Sequence, residues 1–186
     1  MFFLKESTLK LACILRQRKL LNIIFLNYAP ELEKFLFWCQ QLIAESLGKN
    51  GYGFLPTISN APKDHHSLLQ LYLDGPKDKL FYIFSLDKES EIKINSKKYT
   101  SSINIIHSKT QNKVKLSQKN ALIKSLKKKK IPYRETTVKT LNEETLGELF
   151  SYYILETIIL GKLVGINPFN QPAVEEVKIN TKKILS

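Results

Sequence analysis

Residues 22–48 read NIIFLNYAPELEKFLFWCQQLIAESLG. The first eight are mostly apolar and do not alternate. A run of that length fits a parallel strand buried on both faces. Pro30 suits the first turn of a helix, and Glu31 and Glu33 stand at its positive end. Leu32, Phe35, Leu36, Cys39, Leu42, Ile43 and Leu47 then recur at steps that place them on one helical face, and Gly48 ends the segment. A buried strand running straight into an amphipathic helix opens a strand–helix–strand unit and predicts a parallel sheet.

The pattern continues on both sides. Residues 7–21 read as an amphipathic helix with Ser7 as its cap. Residues 51–62 form a loop around a short extended stretch. A helix follows from Asp64 to Gly75-Pro76, and KLFYIFSL, 79–86, is a second buried-type strand. A helix is expected over about 116–130 and a strand over 133–139. A long helix runs over about 142–164, with Thr140 to Glu143 as a capping box or Asn142 as the cap. Gly165 ends it, and Pro172 opens a last helix. No repeat or linker divides residues 1–186. The expectation is one α/β layered domain whose mainly parallel β-sheet is flanked by helices.

Composition narrows the function. The 186 residues carry a formal net charge of +12, but 93–140 hold 14 of the 29 Lys and Arg and one of the 17 Asp and Glu. The chain therefore reads as a near-neutral domain with a basic insert at about 90–130. That insert is poor in aromatics, unlike base-stacking surfaces, so a solvated lysine-rich surface is favoured over a nucleic-acid partner. Cys13 and Cys39 have no metal or redox spacing and suit a reducing cytosol, so a cytoplasmic location is expected. MFFLKESTLK does not read as a signal peptide. The apolar run 149–166 contains Glu156 and Lys162, which favours a buried helix over a membrane span.

Three places carry purposeful polar residues. On the helix at 30–47, Glu31, Lys34, Trp38, Gln41 and Glu45 form the stripe opposite the apolar face. Trp38 is out of place there and suggests that something covers this face; Gln41 and Glu45, one turn apart, could reach one ligand. At the second place, adjacent helical residues point about 100° apart, so His65 and His66 cannot share an environment. With Asp64 as N-cap, His65 falls on the side of Leu68, Leu69 and Tyr72, and His66 faces the polar side. Imidazolium is disfavoured at a helix N-terminus, so a neutral ring there could take or give a proton. The third place is GINPFNQPAVEEVK, 165–178, with Gln171 at a helix start and Lys178 nearly on the same face. An ordinary surface pair between Glu175 and Lys178 would also explain the lysine.

Together these segments resemble the glucose-6-phosphate isomerase (phosphoglucose isomerase) family. GKLVGINPFNQPAVEEVK, 161–178, is similar to its C-terminal signature. QQLIAESLGK, 40–49, resembles its glutamate helix, and DHHSLLQLYLDG, 64–75, resembles its histidine segment. The resemblance implies the second of two sugar-isomerase (SIS) domains. It implies interconversion of glucose 6-phosphate and fructose 6-phosphate through an enediol, in glycolysis and gluconeogenesis. By position, Glu45 resembles the base, Lys178 and His66 the ring-opening pair, and Gln41 a substrate-binding residue, with Gln171 beside it. In the family the histidine comes from the partner subunit, so a homodimer is implied, and no metal or organic cofactor. The family's Ser/Thr-rich phosphate site and its G-G-R-[FY]-[ST] arginine segment are not found in these residues. The chain is accordingly expected to be the C-terminal half of the enzyme, truncated or working with a separate N-terminal SIS-domain chain. The alternative expectation is a catalytically incomplete module that binds a sugar phosphate or a partner.

Overall fold

The computed structural model describes residues 2–87, 92–95 and 104–186. Helix α1 (Phe2–Gln17) leads into β1 (Asn22–Asn27), a 3-10 turn at Pro30–Leu32 and α2 (Glu33–Leu47). β2 (Leu55–Asn60), α3 (His65–Asp74) and β3 (Lys79–Leu86) follow. After a second 3-10 turn come α4 (Gln111–Lys128), β4 (Tyr133–Val138), α5 (Glu143–Val164) and α6 (Pro172–Leu185). The four strands form one sheet in the order β2-β1-β3-β4. Every pairing is parallel. The chain is α/β, as its alternating pattern predicts.

The central strands explain their own composition. Ile23, Phe25, Leu80, Tyr82 and Phe84 face one core with α1, α2 and α5. Ile24, Leu26, Phe81 and Ile83 face the other with α3 and α4. Both faces are covered, so alternation disappears from the sequence. Edge strands β2 and β4 carry exposed positions. Leu36 and Leu126 are fully buried in opposite cores, and each such side chain contributes about 1.5–3 kcal/mol.

Several local expectations are corrected. α1 starts well before Ser7, so Ser7 caps nothing; its hydroxyl donates to Glu156 Oε1 at 2.8 Å. β1 ends at Asn27, whose Oδ1 accepts from the Ala29 N–H at 2.9 Å and turns the chain. The helix expected from 116 begins at Gln111, because Thr110 accepts from the Lys113 N–H. Asn142, not the Thr140 box, caps α5 by accepting from the Thr145 N–H at 2.9 Å. Residues 149–166 do not form a helix buried all round: Tyr153, Glu156, Thr157 and Leu160 face inward, while Ile154 and Leu155 are exposed. Among the described residues no helix is long and apolar enough to cross a membrane. Part of the stretch read as a basic insert lies outside the described residues. The rest includes α4, which buries Leu122, Ile123 and Leu126 and exposes Lys124, Lys127 and Lys128.

A charged cluster lies beneath α1 and α5. Arg134 of β4 donates to Glu156 Oε1 and Oε2 at 2.6 and 3.0 Å and to Ser7 Oγ at 2.9 Å. It also reaches the hydroxyls of Tyr152 and Tyr153, and its guanidinium stacks 3.9 Å from the Tyr82 ring. Burial pushes the Tyr152 hydroxyl up to about 12. Burial works against the Arg134 charge, but its pKa is held well above the usual value, and the negative charge that faces it is the Glu156 carboxylate. A cavity of about 270 Å³ opens beside this cluster between α1 and the starts of β3 and β4.

Candidate functional site

Glu45 sits in the last turn of α2, half-buried. Its Oε1 accepts from Gln41 Nε2 at 3.1 Å, and its Oε2 accepts from Gln171 Nε2 at 2.8 Å. The structure thus brings together three of the five candidates, from segments more than a hundred residues apart. Two amide donors, one on each oxygen, fix the carboxylate's direction. Gln41 and Glu45 do share one polar face, and they bond to each other within the chain.

Backbone geometry delivers Gln171. Gly165 adopts φ +77 at the end of α5, a left-handed conformation that suits glycine. The Ile166 N–H donates to Gly161 O, and the Phe169 N–H to Asn167 Oδ1. Lys49 then ties the loop to α2: its Nζ donates to Ser46 O at 3.1 Å and to Asn167 O at 2.7 Å. Burial lowers the Lys49 pKa. Sequence reasoning gave Lys49 and Asn167 no role, although both lie within the quoted motifs. Their adjacency depends on tertiary structure, which spacing does not reveal.

The other two candidates stand apart. Lys178 pairs with Glu175 at 2.7 Å, both side chains 62% exposed, which is the surface pair that the sequence also allowed. It lies seven residues beyond Gln171, about 10 Å along α6. α6 buries none of its residues, and Val174 is exposed.

His66 lies at the other end of the sheet. α2 runs antiparallel to β2: Asn60 Nδ2 donates to Glu33 Oε1 at 3.0 Å, and Gln40 Nε2 to Pro56 O at 2.9 Å. Glu45 is twelve residues past Glu33, about 18 Å along the helix axis. His66 lies in the first turn of α3, one tight turn past the end of β2, its N–H bonded to Lys63 O at 3.2 Å. Glu45 and His66 of one chain therefore lie toward opposite ends of β2.

The facing prediction for the two histidines holds. His66 is exposed, and His65 is half-buried with its Nε2 2.6 Å from the Tyr28 hydroxyl. Asp64 does occupy the N-cap position of α3 but makes no side-chain capping bond: its Oδ2 accepts from Ser59 Oγ at 3.0 Å and from the Asn60 N–H at 2.8 Å. Trp38 is partly covered by α5, with its ring edge-on to Phe150 at 4.5 Å and stacked on Phe35 at 6.0 Å. That contact within the chain accounts for an aromatic on the polar stripe. Among the described residues no group of three or more His, Cys, Asp and Glu side chains is arranged to hold a metal ion.

Comparison with known proteins gives the site a context. No protein-family model matches the chain. A protein of Methanococcus maripaludis described as a probable glucose-6-phosphate isomerase is 39% identical over 155 residues, covering 82% of this chain and 34% of that protein. The glucose-6-phosphate isomerase of Methanocaldococcus jannaschii is 38% identical over 161 residues, covering 83% and 38%. The crystal structure of a hypothetical protein from Thermus thermophilus superposes with a TM-score of 0.84 at 27% identity, over 96% of this chain and 45% of that one. A glucose-6-phosphate isomerase from Chlamydia trachomatis shares the fold, with a TM-score of 0.69 at 17% identity over 88% of this chain and 34% of that one. The chain spans little more than a third of the length of the curated relatives it matches. Over 82–83% of its length, the chain is a homologue of a domain-sized segment of glucose-6-phosphate isomerases.

Proposed function

We propose that this chain supplies the C-terminal SIS domain of a glucose-6-phosphate isomerase, a cytoplasmic enzyme of glycolysis and gluconeogenesis. The observation that carries the reading is the convergence of Gln41 and Gln171 on the Glu45 carboxylate. A carboxylate can move a proton between C2 and C1 of an open-chain sugar only if it is held over both carbons. Amides on both oxygens hold it before substrate arrives, and the polar groups they present can turn to sugar hydroxyls when it does.

Ring opening needs an acid and a base at the ring oxygen and the anomeric hydroxyl. Lys178 and His66 fill those roles in this reading. Glu45 stands about 18 Å along α2 from Glu33, which contacts the end of β2 that leads to His66, and this placement supports a histidine that reaches the site from a second copy of the chain. The active form is then a homodimer completed by an N-terminal SIS domain that binds the phosphate.

The deciding experiment is Glu45→Gln in an enzyme assembled from this chain and an N-terminal half. Loss of a general base costs about 10²–10⁴-fold in turnover, with the fold retained. Near-normal isomerisation would overturn the assignment. A second reading, a sugar-phosphate or partner-binding module without catalysis, draws on the lack of a G-G-R-[FY]-[ST] segment in these residues. It predicts that no N-terminal half confers turnover.

A further inference from the structure

Tyr28 is fully buried just past the end of β1, and its N–H donates to Phe84 O at 2.8 Å, which pins it to β3. Among the described residues its hydroxyl meets one polar side chain, His65 Nε2 at 2.6 Å, and the two rings stand edge-on with centroids 5.6 Å apart. Burial pushes the tyrosine pKa up and the histidine pKa down, against the opposing pull of Asp64 on the latter. The bond thus joins a neutral phenol to a neutral imidazole. On the other side of the turn, the Asp64 carboxylate grips Ser59 Oγ and the Asn60 N–H. Residues 64 and 65 are thus each tied by their side chains to a strand end. His66, next in sequence, is exposed with no side-chain partner among the described residues.

We propose that Tyr28 and His65 are positioning residues for His66: their hydrogen bond anchors the first turn of α3 to the core and sets the direction in which the His66 imidazole leaves the fold. The purpose of that positioning rests on the proposed role of His66 in ring opening; the geometry does not. A side chain that must meet a sugar from outside its own domain has no partner to hold it, so its backbone has to be rigid instead. The doubled histidine then has a division of labour, one ring serving as an anchor and the other as a working group.

The test uses the full chain and three variants, Tyr28→Phe, His65→Leu and His65→Gln. The readouts are amide hydrogen exchange at His66, whose N–H bonds to Lys63 O, and the His66 imidazole resonances, one set of only three in this chain. Tyr28→Phe and His65→Leu should each speed exchange at His66 about 5-fold or more, the worth of one net hydrogen bond, and shift its ring signals. His65→Gln, whose amide oxygen can accept from Tyr28, should keep wild-type values. Amides of Phe25 and Phe84 in the central strands should not change. Unchanged His66 exchange in Tyr28→Phe, or an equal rise across β1 and β3, would overturn the proposal. Turnover of His66→Ala in the assembled enzyme separates the two readings. If it is normal, ring opening by His66 fails and the positioning result stands; if it is impaired while Tyr28→Phe leaves His66 unmoved, only the positioning fails.

Discussion

The guanidinium of Arg134 forms a fork on the Glu156 carboxylate, tying edge strand β4 to α5. Ser7 of α1 joins the same cluster, so one ion pair links three elements. Breaking a buried pair leaves an uncompensated charge. Arg134→Met should therefore destabilise the chain by about 3–5 kcal/mol, and Arg134→Met with Glu156→Leu should recover most of that loss. Denaturant unfolding of the two variants measures both. A single-variant cost below about 1 kcal/mol would show that the pair does not hold β4 in place.

The half-buried His65 gives stability a pH dependence. Its folded-state pKa lies below its ordinary 6.5, so the unfolded chain binds the proton more readily. The contribution of the neutral ring is fully present above about pH 6.5 and is lost as pH falls toward the folded value. Urea midpoints should therefore decline from pH 7 to pH 5. His65→Gln should flatten part of that decline; an equally steep decline in the variant would show that other groups carry it.

The lysines at 127–130 are expected to matter little to the fold. Lys127 and Lys128 close the last turn of α4, where cations complement the helix dipole. Lys129 meets Asp74 at 3.2 Å, in a pair exposed on both sides. Changing all four to glutamine should alter stability by no more than about 1 kcal/mol. The wild-type chain should show no tight, salt-dependent affinity for duplex RNA in an anisotropy titration. Such affinity, lost in the variant, would make the basic surface a nucleic-acid site.

The sequence exposed the parts of this molecule that depend on local pattern. β3 spans the residues that its apolar run marked, and α3 and α5 begin within a residue of their expected starts. The Arg134–Glu156 cluster stayed hidden because each partner had a bland explanation. Arg134 entered only as one of the 14 Lys and Arg of residues 93–140, and Glu156 as an interruption in an apolar helix. A lone carboxylate within an apolar helix was the available signal, since such a group needs a partner when buried. Trp38 was read as awaiting a cover from outside, whereas α5 provides one; which helix packs on α2 is a topological fact that periodicity does not encode. The Glu45–Gln171 contact is equally non-local. Motif resemblance identified those residues, and folding brought them together.

Isolated from any N-terminal half, these 186 residues should be essentially inactive toward glucose 6-phosphate. In the proposed reading the phosphate does not react, and its binding energy is what holds the sugar over Glu45. On the same reading, without the arginine of the G-G-R-[FY]-[ST] segment the developing enediolate would also lose stabilisation worth about 10²–10³ in rate. A coupled assay of the purified chain should stay at background, and addition of an N-terminal half should raise it. Full activity from the chain alone would mean that it builds a phosphate site of its own.

The most direct test of the account is complementation between two inactive variants. If Glu45 and His66 of different copies complete one site, Glu45→Gln and His66→Ala chains, each inactive with an N-terminal half, form mixed dimers containing one intact site. Co-refolding equal amounts should restore about a quarter of wild-type turnover, since about half the dimers are mixed and each has one working site of two. Recovery near that level is the predicted result. A mixture as inactive as its two components, with mixed dimers demonstrably present, would contradict the account.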